Sequence, residues 1–234
     1  SQWYINSQAT ANINYVDVKD SYAITALSAS NSQNSGNNTN WTIDLGDCTP
    51  PPVSTYDFAT CTDRNKCFAE HEGVNAFSTT LGPPNKDISD AAAEPNAAGY
   101  TAMGTDDTNE FKTIDPGSGD YSVLEAYFQI AEATSSITQL TLQFVGRNNV
   151  SATLTLRIWN FNSGSWETLG TMSGTATTTI SKATTTNIQY YIGSGTSEIG
   201  RAFTNAVVLS VDNAATTESF YVDYIKVDVT YFPP

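Results

Sequence analysis

The chain has 234 residues, a formal net charge of -14 and only 15% charged residues, against roughly 25% in an ordinary soluble domain. Thr, Ser and Asn number 33, 23 and 20, so hydroxyls and amides wet the surface in place of charge. Lys and Arg total ten, which excludes the clustered cations that hold a phosphate backbone or an anionic bilayer; no apolar run approaches the roughly 20 residues of a membrane-spanning helix.

Residues 1–47 read as a strand-rich N-terminal extension. Ala9, Ala11, Ile13 and Tyr15 alternate with Gln8, Thr10, Asn12 and Asn14, the pattern of a strand offered to a groove. Short strands are predicted over Ala11 to Lys19, Tyr22 to Leu27 and around Trp41 to Leu45, with a polar stretch from Ser28 to Asn40 between them. So few large apolar side chains do not make a core, so the extension is expected to lean on the following domain or on another molecule. As a donor strand it would complete a neighbour's sheet, a head-to-tail contact that does not close and builds filaments. The alternative is that it completes its own domain.

Residues 48–54, with Pro50, Pro51 and Pro52, lack backbone donors and read as a stiff linker. Residues 55–234 carry the strand signals of an all-β fold: Tyr121 to Ala131, Ile137 to Gly146, Ser151 to Asn160, Ala206 to Asp212 and Ser219 to Tyr231. Leu140, Leu142 and Phe144 alternate with Thr141 and Gln143, and Leu154, Leu156 and Ile158 with Thr153, Thr155 and Arg157. Each strand is thus expected to have one buried and one wet face, with turns at Gly146 to Asn149, Asn162 to Gly164 and Gly193 to Gly195. That pattern predicts an antiparallel two-sheet β-sandwich rather than a parallel α/β sheet. The stretch Phe77 to Asn96 is the least strand-like, with room for a short helical turn.

Cys48, Cys61 and Cys67 lie within twenty residues of one another. Cys61 with Cys67, or Cys48 with either, would make one local staple in a secreted protein. Sequons at Asn37, Asn40 and Asn149 are candidate glycosylation sites. The chain starts at Ser1 without a charged-then-apolar leader, which fits a processed N-terminus.

Catalysis finds little footing. The one histidine, His71, sits between Glu70 and Glu72 with Cys67 four residues before it, but no nucleophile elbow or oxyanion signature accompanies it. A zinc site built from the three cysteines and His71 is weighed against an oxidised, secreted setting, which favours the disulfide. A glycosidase needs two carboxylates roughly 5 to 10 Å apart, and among Glu110, Asp115, Asp120, Glu125 and Asp223 nothing singles out a pair. No cofactor is expected except a structural calcium ion, for which Asp115, Asp120 and Asp223 are the candidate ligands. Asp223 shares strand parity with Tyr221, Ile225, Val227 and Val229 and is expected to point toward the apolar side, where a lone carboxylate is costly. For a sugar, Trp159 is read on the wet face in register with Arg157, with Trp166 past the turn and Tyr190 beside Tyr191; exposed rings of this kind stack on a pyranose, although a cross-strand aromatic pair has the same pattern.

Two stretches carry a resemblance. Asn12 to Ser21, followed by Asn34 to Trp41, resembles the closing rungs of repeat regions in large secreted bacterial and archaeal surface proteins. Tyr56-Asp57-Phe58, Pro116 to Tyr121, Leu156 to Asn160 with Ser165-Trp166-Glu167, and Phe220 to Val227 resemble jelly-roll modules of such proteins, a group that includes carbohydrate-binding modules. The resemblance implies a non-catalytic extracellular or cell-surface β-sandwich. The sequence-based expectation is therefore a structural or adhesive protein, self-associating into filaments through its N-terminal strand, with a carbohydrate-binding module on a cell-surface polysaccharide as the alternative.

Overall fold

Asn, Asp and Gly at the corners of short alternating stretches fold the chain into strands almost throughout. The computed structural model describes residues 3–6, 13–14, 16–30, 32–44, 51–74, 94–115, 121–193, 204–214 and 219–233. The chain divides into two units, Ser1–Pro51 and Pro52–Pro234.

The first unit is built from β1 (Trp3–Ile5), β2 (Ile13–Asn14), β3 (Asp17–Lys19), β4 (Ser21–Ser30), β5 (Gln33–Gly36) and β6 (Thr39–Ile43). Every pairing among them is parallel: β1, β2 and β6 on β4, and β3 on β5. Trp3 faces Ser21, Ile13 faces Ala29, Asp17 faces Gln33, Tyr22 faces Thr39 and Leu27 faces Trp41, an offset of 14 to 18 residues that stacks successive rungs of a coil. Parallel partners need such a long return path, which a tight hairpin does not provide. The corners turn in left-handed backbone at Asp20 (φ 52°), Gly36 (φ 96°) and Asn37 (φ 56°), and Asn and Asp tolerate this better than other side chains.

Polar side chains tie one rung to the next. The Asn37 amide donates to Asp20 Oδ1 at 2.7 Å, and the Trp3 indole donates to Lys19 O at 2.8 Å. Asn38 makes three bonds: it accepts from Ser21 N–H and donates to Val18 O and to Asn34 Oδ1. Asn40 donates to Ala23 O at 3.0 Å. The buried apolar side chains are small and few, namely Val18, Ala23, Leu27 and Ala29. Ile13, expected as part of a strand given to a neighbour, pairs with Ala29 of its own chain; Ala9, Ala11 and Tyr15 lie outside the described residues.

The second unit holds β7 (Val53–Asp57), β8 (Cys67–Val74), α1 (Ala97–Ala102), β9 (Phe111–Lys112), β10 (Tyr121–Gln129), β11 (Ile137–Asn148), β12 (Thr153–Asn160), β13 (Ser165–Ser173), β14 (Thr178–Thr184), β15 (Ala206–Ala214) and β16 (Phe220–Tyr231). All its ladders are antiparallel. One sheet runs β13-β12-β15-β10-β8, the other β14-β11-β16-β7 with β9 also on β16. This is the antiparallel β-sandwich that the alternation predicts. Leu124, Ala126, Phe128, Val207, Leu209, Val211, Leu154, Leu156 and Ile158 pack inward from the first sheet, against Leu140, Leu142, Phe144, Ile225, Val227 and Val229 of the second. Asn148 and Asn213 join the two sheets through their side-chain amides at 3.2 Å. Of the stretch read as least strand-like, residues 77–93 lie outside the described residues; α1 follows, capped by Asn96, whose Oδ1 accepts from Gly99 N–H.

Two expectations change here. The first sheet has no wet face along its central strands: β10 from Ser122 to Phe128 and β15 from Ala206 to Asn213 are buried on both sides. Trp159, expected to be exposed, is 3% exposed. Asp223 does not share parity with Tyr221 and Ile225, because Val145 pairs with Tyr224 while Gly146 pairs with Val222. Asp223 is the extra residue of a β-bulge, which re-aims the side chains beyond it. Core parity therefore passes from Phe220 and Val222 to Ile225, Val227 and Val229, leaving Tyr221 on the outer side. Glycine is required opposite the bulge, since a Cβ on Gly146 would lie 2.4 Å from Tyr221 O.

Candidate functional site

The outer face of the five-stranded sheet collects the groups with most chemical content, because strand parity sends every second residue there. Cross-strand register arranges them in rows. One row is Phe68 opposite Tyr127 opposite Val208, continued by the directly opposed Trp159 and Trp166. The Phe68 and Tyr127 rings stack at 4.2 Å with an interplanar angle of 5°, and the two tryptophans meet edge to face at 5.3 Å. The next row is Glu70 opposite Glu125 opposite Ser210 opposite Arg157, with Thr168 beyond. A third contains Val123, Glu72, Asp212 and Thr155. Five strands give the face a width of about 19 Å.

Aromatic and polar rows thus lie side by side, and burial deepens along them. Thr168 and Thr171 on β13 are exposed, Arg157 is half-buried, and Glu70, Glu125, Ser210 and Asp212 are buried. Tyr127 donates its hydroxyl to Glu125. Arg157 reaches Asp212 at 3.2 Å and Thr168 Oγ1 at 3.1 Å. Burial pushes the Asp212 carboxyl above its ordinary pKa, and the Arg157 guanidinium opposes that shift. Two polar groups on this face are buried without a hydrogen-bond partner, Ser210 Oγ and Trp166 Nε1. Buried donors are nearly always satisfied, and these two are exceptions.

Of the residues read as a sugar platform, Trp159, Trp166 and Arg157 lie together on this face, although the tryptophans are buried rather than offered flat to solvent. Tyr190 is elsewhere, in the 3₁₀ turn Ile188–Tyr190. The acids and the ring that complete the face, Glu70, Glu72, Asp212 and Tyr127, were not part of that reading. Phe68, Glu70 and Glu72 alternate within β8, a period-two signal, but the Glu-His-Glu triplet reads locally as a charged loop.

The metal candidates do not converge. Asp115 is exposed at the margin of the described residues and Asp120 lies outside them. Asp223 accepts from Asp107 N–H at 3.1 Å, and its carboxyl is pushed up by burial and by the neighbouring Asp106, Asp107 and Glu110 charges. Among the described residues no group of three or more His, Cys, Asp or Glu side chains is placed to hold a metal ion. His71 accepts Ile114 N–H on Nδ1 at 2.8 Å, and burial lowers its pKa, so the imidazole is a neutral structural acceptor. Cys61 and Cys67 are joined in a disulfide, whereas Cys48 lies outside the described residues. The Asn37 and Asn40 amides are engaged between rungs, and Asn149 follows the end of β11. No helix among the described residues is long and apolar enough to cross a membrane.

No curated protein matches the sequence. Among solved structures the chain is similar to the xylan-binding module CBM15, with a TM-score of 0.39 and 9% identity over 77% of this chain and 97% of that one. It is also similar to the CBM22-1 xylan-binding domain of Xyn10C from Paenibacillus barcinonensis, with a TM-score of 0.36 and 6% identity over 79% of this chain and 98% of that one. The enzymatically active domain of tailspike protein 4 of bacteriophage CBA120 matches 94% of this chain at a TM-score of 0.35 and 9% identity, and the match spans 31% of the tailspike chain. Residues 64–231 match the family AF_1625_C, described as "Uncharacterized protein, C-terminal domain", and the chain belongs to that family.

Proposed function

We propose that the sandwich is a glycan-binding module of a secreted or cell-surface protein, acting without catalysis, with the open β13 end of its five-stranded sheet as the binding surface. The observation that carries this reading is the exposed Thr168 and Thr171 and the half-buried Arg157 beside the edge-to-face Trp159 and Trp166 pair at that end. A sugar ring has a rim of hydroxyls, for which the Arg157 guanidinium and the threonine hydroxyls supply bonds. Entry is from β13, where Thr168 and Thr171 are exposed.

Affinity electrophoresis of the purified chain in gels containing xylan, soluble cellulose, mannan, galactan or glucosamine polymers tests the reading. Retardation by at least one neutral polymer is expected. Arg157→Gln and Thr168→Ala, at the open end, should weaken it by about tenfold in Kd if each loses one good hydrogen bond. A chain that migrates freely in every gel, or whose retention is untouched by both substitutions, sinks this placement of the site.

A further inference from the structure

A second and separate opening lies at the end of the sandwich, where β7, the loop closed by Cys61–Cys67 and the end of β10 meet. It is a cleft of about 610 Å³, within the roughly 300–1,000 Å³ usual for ligand pockets. Tyr56, Thr62, Asp63, Lys66, Gln129 and Asn205 line it. The Tyr56 hydroxyl donates to Glu132 and accepts from Ala131 N–H, which fixes the half-buried ring in the wall. The Gln129 amide donates to Thr204 Oγ1 at 3.0 Å, which holds its plane. Asn205 has a φ of 55°, a left-handed conformation that Asn tolerates.

Chemically the wall offers one aromatic face, two side-chain amides, three threonine hydroxyls, and a carboxylate and an ammonium 3.8 Å apart. The ammonium has its counter-charge beside it, so the cleft has no surplus cation for a phosphate or sulfate. Ile130, Ala131 and the Tyr56 ring supply its apolar lining, a surface for the C–H face of a sugar. The set fits a small neutral polyol. We propose that this cleft is a second binding site, for a neutral mono- or disaccharide or the end of a glycan chain, and that the Cys61–Cys67 loop holds its wall in place. The inference rests on the reading that the sandwich binds glycans, but it uses none of the residues of the sheet face. Asp63 accepts the Lys66 and Cys67 N–H groups and, through its side chain, that of Asn65, so the wall residues Asp63 and Lys66 belong to the bonded loop itself.

The two sites separate in one experiment: NMR titration of the full chain, labelled with ¹⁵N, against glucose, xylose, galactose, xylobiose and cellobiose at millimolar concentrations. The expected result is a saturable shift of the Gln129 and Asn205 side-chain amides and of backbone amides 62–66. Gln129→Ala and Asn205→Gly, the latter chosen because glycine keeps the backbone conformation, should each weaken that response about tenfold. Reduction with a phosphine should abolish it while leaving any response of Trp166 Nε1–H in place. Shifts confined to Trp166 and Arg157 overturn the second site and leave the glycan reading standing. No shifts at either place, with polymer binding also absent, overturn both. A cleft response that survives reduction overturns the role given to the disulfide, and one unaffected by both substitutions overturns the cleft as its origin.

Discussion

The two units of this chain solve the same problem, satisfying a backbone made almost wholly of strands, with opposite materials. In the sandwich, large side chains do the packing: Tyr127, Phe68, Phe128, Phe144, Phe220 and Leu142 are all completely or almost completely buried. In the N-terminal unit the buried side chains are Val18, Ala23, Leu27, Ala29, Ser21 and Ser32, while Trp3, Tyr4 and Ile24 are 49%, 71% and 53% exposed. What a core lacks there is made up by directed bonds from Asn, Asp and Ser at the corners. The comparison teaches that an Asn- and Thr-rich strand segment with little apolar volume does not imply a strand awaiting a partner; stacked parallel rungs are another way to order it.

Substitutions can break or sharpen that contrast. The largest effect is expected for Trp159→Ala, which empties a packed aromatic site and should cost about 3–5 kcal/mol. Calorimetry should show the sandwich transition falling by about 2–4 °C per kcal/mol while a transition belonging to residues 1–51 stays in place. A common fall of both would show that the units melt as one. Cys61→Ser with Cys67→Ser opens a short loop and should cost about 2 kcal/mol on chain-entropy grounds, read as a lower denaturant midpoint for the sandwich alone.

Asn38→Ala removes two inter-rung bonds and one within its own corner and should cost about 1.5 kcal/mol. Faster hydrogen exchange confined to residues 17–43 is the outcome that supports polar stapling, and unchanged exchange would remove it. A smaller effect of opposite sign is expected for Asp223→Asn. The folded-state pKa of Asp223 is raised, so the native chain holds that proton more tightly than the unfolded chain. Stability from this group is therefore present at low pH and is lost as pH rises from the unfolded value through the folded one. Removing the charge should raise Tm at pH 7 and leave it unchanged at pH 3; an equal change at both pH values would mean that the bulge, not the charge, is what the substitution touches. Tyr4→Ser, at an exposed ring, should stay within about 0.5 kcal/mol.

Much of the sandwich was legible because its signal is local. Leu140, Leu142 and Phe144 announce their face by alternation alone, and Leu154, Leu156 and Ile158 do the same. What alternation does not encode is whether the other face is also covered. Thr155 and Arg157 look like solvent residues, yet Thr155 is buried and Arg157 half-buried beside Asp212. The acid row was hidden for a related reason, since Glu70 and Glu125 meet only through the register of strands more than fifty residues apart. The bulge at Asp223 shifts parity in mid-strand without any Gly or Pro of its own to mark it. In the first unit, Asp17 to Lys19 and Thr39 to Ile43 read as strands from either direction, and only their spacing of one rung tells parallel from antiparallel.

The placement of β16 has a consequence for how the molecule is made. This strand, residues 220–231, lies between β11 and β7 and also takes β9 on its flank, and it supplies Phe220, Val222, Ile225, Val227 and Val229 to the core. During synthesis the second sheet therefore lacks its middle member until residues 220–231 have emerged. Until then β7, made some 165 residues earlier, has no ladder to join, and the inward faces of β10, β11 and β12 are apolar surfaces without a cover. The coil of parallel rungs carries no such delay, because each of its strands meets its partner within about a score of residues. Residues 1–51 thus order as they emerge, whereas the sandwich waits for β16.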